Sequence, residues 1–169
     1  MSTSAVPSPS ASPLASAVAR YFEACNSGDR DLFFGLFAPD AGHYLPKGMF
    51  GPFHDVESLF ARWREDAART GAYWIADRVY ADDAARTAIA EWTAVKPKDG
   101  VYFRGVDVFA FDEQGRIVEV RVYYASPRDP SIGDNELGGY DYHDGGWHVP
   151  AAPVSARRLA ATRSSSLPR

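Results

Sequence analysis

The sequence predicts an α+β fold, in which three N-terminal helices cover one face of a curved antiparallel sheet. As far as Gly71, apolar residues recur at intervals of three and four, which is typical of helices. Beyond Gly71 they alternate with polar residues one by one, which is typical of strands. Turn residues divide this second part into four short runs, and helices followed by neighbouring strands favour an antiparallel meander.

The first two helices are predicted from their apolar faces and from the residues that end them. The apolar face of the first helix runs from Leu14 to Cys25. The helix is expected to end at Asn26-Ser27-Gly28, because glycine often ends helices. A short second helix has inward-facing residues as far as Phe37, and Pro39-Asp40 is expected to stop it.

A short strand over residues 42–45 is expected next, followed by a third helix from about Asp55 to Thr70. The four alternating runs after Gly71 are predicted strands over 72–80, 86–96, 101–111 and 116–125. Short loops rich in Asp and Gly join them, as in hairpins.

Successive side chains of a strand point to opposite faces of the sheet, so every second residue of each predicted strand faces the helices. In 101–111 this set is mostly aromatic: Phe103, Gly105, Asp107, Phe109 and Phe111. In 86–96 it is mostly small: Ala88, Ala90, Trp92 and Ala94. In 116–125 it is Val118, Val120, Val122 and Tyr124. Bulky rings beside alanine and glycine leave gaps that suit an apolar ligand pocket.

Composition excludes several classes of function. The 169 residues carry a net charge of −4, whereas general nucleic-acid binding needs a basic face. One cysteine allows no intrachain disulfide, no apolar run approaches the roughly 18 residues of a membrane span, and the first residues do not resemble a secretory signal. We therefore expect a cytoplasmic protein that binds neither nucleic acid nor membrane.

His143 and His148 fit no standard metal-site spacing, so neither a metal nor another cofactor is expected.

Composition also divides the chain into four parts. Residues 1–13 are rich in Ser, Ala and Pro, residues 156–169 are rich in Arg, Ser and Ala, and both are expected to be disordered tails. Residues 14–125 form the predicted domain. Residues 126–155 combine Gly and Pro with aromatic residues, which favours an irregular arm that serves as a lid or a dimer contact.

Asp107 is the strongest candidate for a catalytic residue. An ionised aspartate among inward-facing aromatic residues is costly unless it is paired. Burial should raise its pKa and favour the neutral form. A neutral carboxyl could donate a hydrogen bond to an enolate or phenolate oxygen. The alternative is a structural carboxyl that hydrogen-bonds a tyrosine or a buried water.

Three segments carry a family resemblance: 106–117 (VDVFAFDEQGRI), 19–22 (ARYF) followed by Ser27-Gly28-Asp29, and 36–41 (LFAPDA). They resemble the nuclear transport factor 2-like superfamily, which includes ketosteroid isomerases and SnoaL-like polyketide cyclases. The resemblance covers about residues 14–125. It implies a cone-shaped α+β fold and a homodimer.

The resemblance also implies roles for three residues. Tyr21 falls on the tyrosine of the isomerases' oxyanion hole, Asp107 on its second member, a carboxylic acid held protonated, and Tyr124 on a pocket aromatic. Each familiar mechanism nevertheless lacks one part. Leu45 stands where the isomerases have their basic aspartate, and the last strand has no aspartate of the cyclase type. Arg104 should point away from Asp107, unlike the Arg–Asp pair of related epoxide hydrolases.

His43 is the candidate for the missing base, because it shares a strand face with Leu45 and an imidazole can accept a proton near pH 7. If the register slips by one residue, Tyr44 exchanges roles with it. The residues expected to contact the substrate are Tyr44, Leu59, Trp63, Trp74, Trp92, Phe103 and Tyr124.

Three functions remain open. The first is a cofactor-free isomerase or lyase, resembling polyketide cyclases, that acts on a small hydrophobic cyclic or polyketide-type carbonyl compound through an enolate held by Asp107 and Tyr21. The second is an epoxide hydrolase or epoxide-opening cyclase, which needs a carboxylate base. The third is a non-catalytic module that binds a hydrophobic ligand or another protein. A homodimer would use the outer sheet face, with Glu91, Thr93, Arg121 and Tyr123.

Overall fold

Three helices lie against one face of a five-stranded sheet. The computed structural model describes residues 12–45, 50–124, 143, 144 and 146. The helices are α1 (Pro13–Ser27), α2 (Arg30–Gly35) and α3 (Val56–Thr70). The strands are β1 (Phe37–Tyr44), β2 (Tyr73–Asp82), β3 (Thr87–Lys96), β4 (Val101–Phe111) and β5 (Ile117–Tyr124). The predicted α+β class is confirmed.

The sheet has the strand order β1-β5-β4-β3-β2. Strands β2 to β5 form the predicted antiparallel meander. Strand β1 adds to its edge by pairing with β5 in parallel, with His43 opposite Val120. Strand β1 therefore lies beside β5 at one edge of the sheet, and β2 forms the other edge. The helices pack on one face of the sheet between these two edges.

Strand β1 begins at Phe37, so the prediction that Phe37 ends a helix and that Pro39-Asp40 stops it was wrong. The physical reason is a tertiary contact. The carbonyl of Leu36 accepts a hydrogen bond of 2.8 Å from the N–H of Ile117, which draws the chain into the sheet. Pro39 is tolerated because the pairing with β5 is irregular between Phe37 and Gly42.

A bulge in β5 changes the predicted parity at one position. Phe111 pairs with Ile117 and Ala110 with Glu119, so Val118 is an extra residue in the ladder. Ile117 is consequently fully buried and Val118 only half-buried, and the prediction for Val118 was wrong. Beyond the bulge, Val120 and Val122 are buried on the inner face, as predicted.

Side chains and glycines fix the ends of the two long helices close to where they were predicted. The hydroxyl of Ser12 accepts a hydrogen bond from the backbone of α1, and Gly28 ends that helix in the left-handed conformation with φ 69°. Asp55 caps α3 in the same way, and Gly71 ends it. Ser12 and Pro13 thus belong to the helical part of the chain.

The described helices and strands run from Pro13 to Tyr124. The bounds 14–125 for the domain stay a prediction. Nearly all of the predicted tails and of the 126–155 arm fall outside the described residues. Gly146 of that arm lies near Arg78 of β2, since a Cβ placed on it would be 3.4 Å from the guanidinium. In the part of the chain that the structure describes, no helix is long and apolar enough to cross a membrane.

Candidate functional site

A pocket opens between α1, α3 and the inner face of the sheet. It encloses about 560 Å³ of space free of protein atoms, counting the part that is open to solvent. Six residues predicted for the site line it: Tyr21, Trp63, Trp74, Trp92, Phe103 and Asp107. The rings of Trp63 and Trp74 stack with centroids 5.8 Å apart. These walls suit a flat apolar ligand.

Asp107 lies on β4 among the inward-facing residues and is 5% exposed. Its Oδ1 accepts a hydrogen bond of 2.7 Å from the indole Nε1 of Trp92. Burial raises the pKa of Asp107 to about 7, and the bond from Trp92 offsets part of that rise. The pKa shift expected from the sequence is thus present. A substantial share of Asp107 is neutral at pH 7 and can donate a proton.

The bond between Trp92 and Asp107 depends on a glycine. Gly105 pairs directly with Trp92 across the two strands. A Cβ at Gly105 would lie 2.3 Å from Cζ2 of Trp92, so the indole occupies the space of the missing side chain. From there its N–H reaches diagonally to Asp107, two residues further along β4.

Tyr21 brings a second oxygen to the pocket from α1. It is 2% exposed, and the rings of Phe22 and Phe109 pack edge-on against it at 5.3 Å. Burial raises the pKa of Tyr21 well above its usual value, with smaller contributions from the neighbouring Cys25 and Asp107. The hydroxyl therefore stays protonated and can donate a hydrogen bond.

His43 lies behind Tyr21 and not on the pocket wall. Its Nε2 is 3.3 Å from Oη of Tyr21, and its ring packs edge-on against Trp63 at 5.4 Å. The residue is 1% exposed, and burial lowers the pKa of its imidazole to about 3. A group with that pKa is mismatched to general-base catalysis at neutral pH. The predicted base role of His43 stays a prediction.

An ion-pair cluster gives the pocket a polar end that sequence reasoning missed. The buried carboxylate of Asp66 on α3 accepts 2.6 Å and 2.7 Å bonds from Lys96 Nζ and an Arg69 guanidinium nitrogen. Asp66 and Lys96 line the pocket. The alternation of β3 could have indicated that Lys96 faces the pocket, because Lys96 continues the series of inward-facing residues at every second position.

Asn26 positions one of the pocket walls. Its side-chain amide donates to the carbonyl of Trp74 at 2.6 Å and its Oδ1 accepts from the N–H of Trp74 at 2.7 Å. These two hydrogen bonds join the end of α1 to the start of β2, so that Trp74 faces Trp63. The sequence showed Asn26 only as a residue near a helix end.

Three residues predicted to contact the substrate are placed differently or not described. Tyr44 is 38% exposed and packs against His54, because on β1 it faces away from His43. Leu59 is buried in the core between helix and sheet. Neither lines the pocket, whereas Leu45 does. The side chain of Tyr124 lies outside the described residues.

The outer face of the sheet holds the arginine that the sequence placed away from Asp107. Arg104 is buried there and donates a 2.8 Å bond to the hydroxyl of Thr93, which in turn donates to Asp77 at 2.6 Å. Arg104 and Asp107 thus form no pair. In the described ranges, no three His, Cys, Asp or Glu side chains are arranged to hold a metal ion.

The SnoaL-like domain family matches residues 18–120 of the chain. A protein of unknown function with a cystatin-like fold, from Methylobium petroleophilum PM1, is 33% identical, with a TM-score of 0.67 over 86% of this chain and 97% of its own. No curated protein is significantly similar to the chain.

Two further solved structures are more distant. Bal32a, from a soil-derived mobile gene cassette, is 24% identical, with a TM-score of 0.59 over 66% of this chain and 88% of its own. A protein from Sinorhizobium meliloti, provisionally assigned as a polyketide cyclase, is 19% identical, with a TM-score of 0.55 over 63% of this chain and 93% of its own. At these identities the likeness shows the fold alone.

Proposed function

This chain belongs to the SnoaL-like domain family, and from that premise we propose that it is a cofactor-free enzyme that acts on a hydrophobic cyclic or polyketide-type carbonyl compound. The reaction passes through an enolate. One observation carries the proposal: the carboxyl of Asp107 and the hydroxyl of Tyr21, both with raised pKa values, line the same apolar pocket.

Two protonated oxygens suit the stabilisation of a developing oxyanion. When a carbon next to a carbonyl loses its proton to a base, the electron pair moves onto the carbonyl oxygen. Asp107 and Tyr21 donate hydrogen bonds to that oxygen as its charge grows. Both groups are buried, and surroundings of low dielectric constant strengthen such bonds. The walls formed by Trp63, Trp74 and Phe103 hold the ring system of the substrate in place.

The enolate then collapses in one of three ways. Its carbon takes up a proton at a different position in an isomerisation, attacks a second carbonyl in an aldol cyclisation, or expels a β-hydroxyl in a dehydration. A poly-β-ketone suits this pocket best. Its acidic α-proton can pass to hydroxide from solvent at the open side of the pocket, since the pocket carboxylate of Asp66 is already paired with Lys96. The same pairing disfavours epoxide opening, which needs a free carboxylate base.

The described pocket residues include two carboxyl groups, Asp66, which is paired with Lys96, and Asp107, which the proposal uses as a donor. The lack of a third carboxyl group to act as the base favours a second candidate, a non-catalytic protein that binds a hydrophobic ligand. The two candidates differ in one measurable property. An enzyme of the proposed kind accelerates the exchange of α-protons in a cyclic β-diketone for deuterium, whereas a binding protein does not.

A planar phenol, which mimics an enolate, tests the proposed site. We expect 2-naphthol to bind the wild-type protein and to bind Asp107→Leu and Tyr21→Phe about tenfold more weakly, as each loses one donor. Affinity should fall as the pH rises through about 7, where Asp107 ionises. Exchange of α-protons, followed by NMR, should slow in the same variants. Equal binding by all three proteins would overturn the proposal.

We further propose that the protein forms a homodimer through the outer face of the sheet. Tyr80, Ile89 and Tyr123 are exposed there by 56%, 38% and 54%. Sedimentation velocity should show a dimer in the wild-type protein and a monomer in Ile89→Lys. A wild-type monomer at high concentration would contradict this assignment.

A further inference from the structure

We propose that His43 is a positioning residue whose neutral imidazole carries its proton on Nε2 and donates it to Oη of Tyr21, so that the Tyr21 hydroxyl proton points into the pocket. The use of that proton, in holding an oxyanion, rests on the function proposed above. The placement of the proton on His43 does not, and it can be measured without any substrate.

The hydroxyl of Tyr21 has one proton to donate and two sites that accept. Nε2 of His43 is 3.3 Å from this oxygen. If Nε2 donates, it occupies one of the accepting sites of the oxygen, and the hydroxyl proton is left for a partner other than His43. Cys25, which neighbours this hydroxyl, lines the same pocket, so the proton is directed to the pocket side.

The surroundings of Nδ1 decide between the two neutral forms of the imidazole. This nitrogen is buried and has no hydrogen-bond partner among the described residues. A proton on Nδ1 would therefore be a buried N–H group without an acceptor, and such groups are rare in proteins. It would also oblige Tyr21 to donate its only proton to Nε2. A proton on Nε2 instead makes a hydrogen bond to Tyr21 and leaves only a lone pair without a partner at Nδ1. The form with the proton on Nε2 is therefore favoured.

The backbone holds the imidazole where it can act in this way. The N–H and the carbonyl of His43 pair with Phe53 at 2.9 Å and 3.0 Å, and its other edge pairs with Val120 of β5. The edge-on contact with Trp63 restricts rotation of the ring. Burial keeps the ring uncharged, since the pKa of His43 is about 3. A fixed neutral donor of this kind orients the group in front of it, as outer-shell partners do at other sites.

Histidine NMR tests the position of the proton directly. A long-range ¹H–¹⁵N correlation spectrum of the ligand-free protein separates the two neutral forms from the imidazolium, and His43→Gln identifies the signals among the four histidines. We expect a protonated Nε2 and a bare Nδ1, with no change between about pH 5 and about pH 8. A protonated Nδ1, or an imidazolium in this range, would overturn the inference.

Two substitutions test the consequence for Tyr21. The amide nitrogen of Gln in His43→Gln can reach the position of Nε2, whereas that of Asn in His43→Asn reaches only the position of Nδ1. We expect His43→Gln to bind 2-naphthol within about threefold of wild type and His43→Asn to bind about tenfold more weakly. The loss should vanish in a Tyr21→Phe background, because the hydroxyl is then absent.

Thermal unfolding shows whether each variant is folded, and His54→Gln is the control for a histidine outside the pocket. An equal loss in His43→Gln and His43→Asn, or a loss that persists without the Tyr21 hydroxyl, would refute the positioning role. If wild type does not bind 2-naphthol, the proposed function fails while the NMR spectrum still decides where the proton of His43 lies.

Discussion

Gly105 of β4 lies directly opposite Trp92 of β3, and the indole fills the space that any larger residue at position 105 would occupy. The arrangement links a backbone feature to the chemistry of the site, since the same indole donates to Asp107 at 2.7 Å.

Gly105→Ala should therefore disturb both stability and the site. The new Cβ would lie 2.3 Å from the indole and 2.5 Å from the carbonyl oxygen of Tyr123, and the backbone atom has little room to move. We expect a loss of about 2–3 kcal/mol in the free energy of unfolding, measured in urea. Because the displaced indole can no longer donate to Asp107, the pKa of that carboxyl should rise above 7.

Gly35→Ala is the matched control, since a Cβ at Gly35 would meet no atom within 4 Å. It lies in α2, where alanine is preferred to glycine by about 1 kcal/mol. Equal losses in the two variants would show that the contact with Trp92 is not the cause.

Stability should depend on pH through two buried groups that act in opposite directions. Between about pH 4 and about pH 6.5, native Asp107 keeps a proton that the unfolded chain releases, so its contribution falls as the pH rises. Native His43 stays neutral while the unfolded chain binds a proton there, so its contribution grows as the pH rises. The raised pKa of about 7 and the lowered one of about 3 set this window.

Single variants should separate the two contributions, each of which is about 1.4 kcal/mol per pH unit in this window. Stability of Asp107→Asn should rise with pH relative to wild type, and that of His43→Gln should fall. Urea denaturation at a series of pH values measures both slopes. Parallel profiles for the three proteins would show that these groups do not keep their shifted pKa values.

The cluster at the polar end of the pocket should respond strongly to loss of its centre. Asp66→Asn leaves the ammonium of Lys96 without its carboxylate at 2.6 Å, and we expect a loss of about 2–4 kcal/mol in stability. The double variant Asp66→Asn/Lys96→Met should recover part of it, because the largely buried ammonium is then absent, whereas Arg69 is exposed and still lies near Asp99. Asp99→Asn is the control: this exposed carboxylate lies 3.7 Å from Arg69 and should contribute less than about 1 kcal/mol. Similar losses in Asp66→Asn and Asp99→Asn would contradict the prediction.

Leu45 offers a test of the missing base. It lines the pocket at the position where the resemblance places the basic aspartate of ketosteroid isomerases. Leu45→Asp should accelerate α-proton exchange in a cyclic β-diketone by about 100-fold, a typical contribution of a positioned base. Leu45→Asn has nearly the same shape without the charge and should give no acceleration. A rate unchanged in Leu45→Asp would mean that the oxyanion is not held as proposed.

Local patterns were enough to predict most of the fold and part of the site. Alternation placed Asp107, Phe103 and Trp92 on the inner face, and the apolar face of α1 placed Tyr21 against them. These predictions succeed because parity and helical spacing follow from backbone geometry within one element.

Features that depend on contacts between distant elements could not be predicted in this way. The start of β1 at Phe37 is set by the bond between Leu36 and Ile117, and the parity of β5 is altered by a bulge at Val118. The pairing of Asn26 with Trp74 likewise joins residues that only the tertiary fold brings together. In each case the deciding partner lies elsewhere in the chain.

The parallel pairing of β1 with β5 has a consequence for folding. Residues 42 and 119 are partners, and each strand of the meander between them pairs with its immediate neighbour in sequence. Closing a loop of about 80 residues carries the largest entropic cost in the sheet, so this contact should form after the hairpins. His43 reaches Tyr21 only when that closure is complete. A ribosome-bound chain that has not yet released β5 would therefore hold at most the pairing of β2, β3 and β4, without a finished oxyanion site, and the proposed activity should appear as the last step of folding.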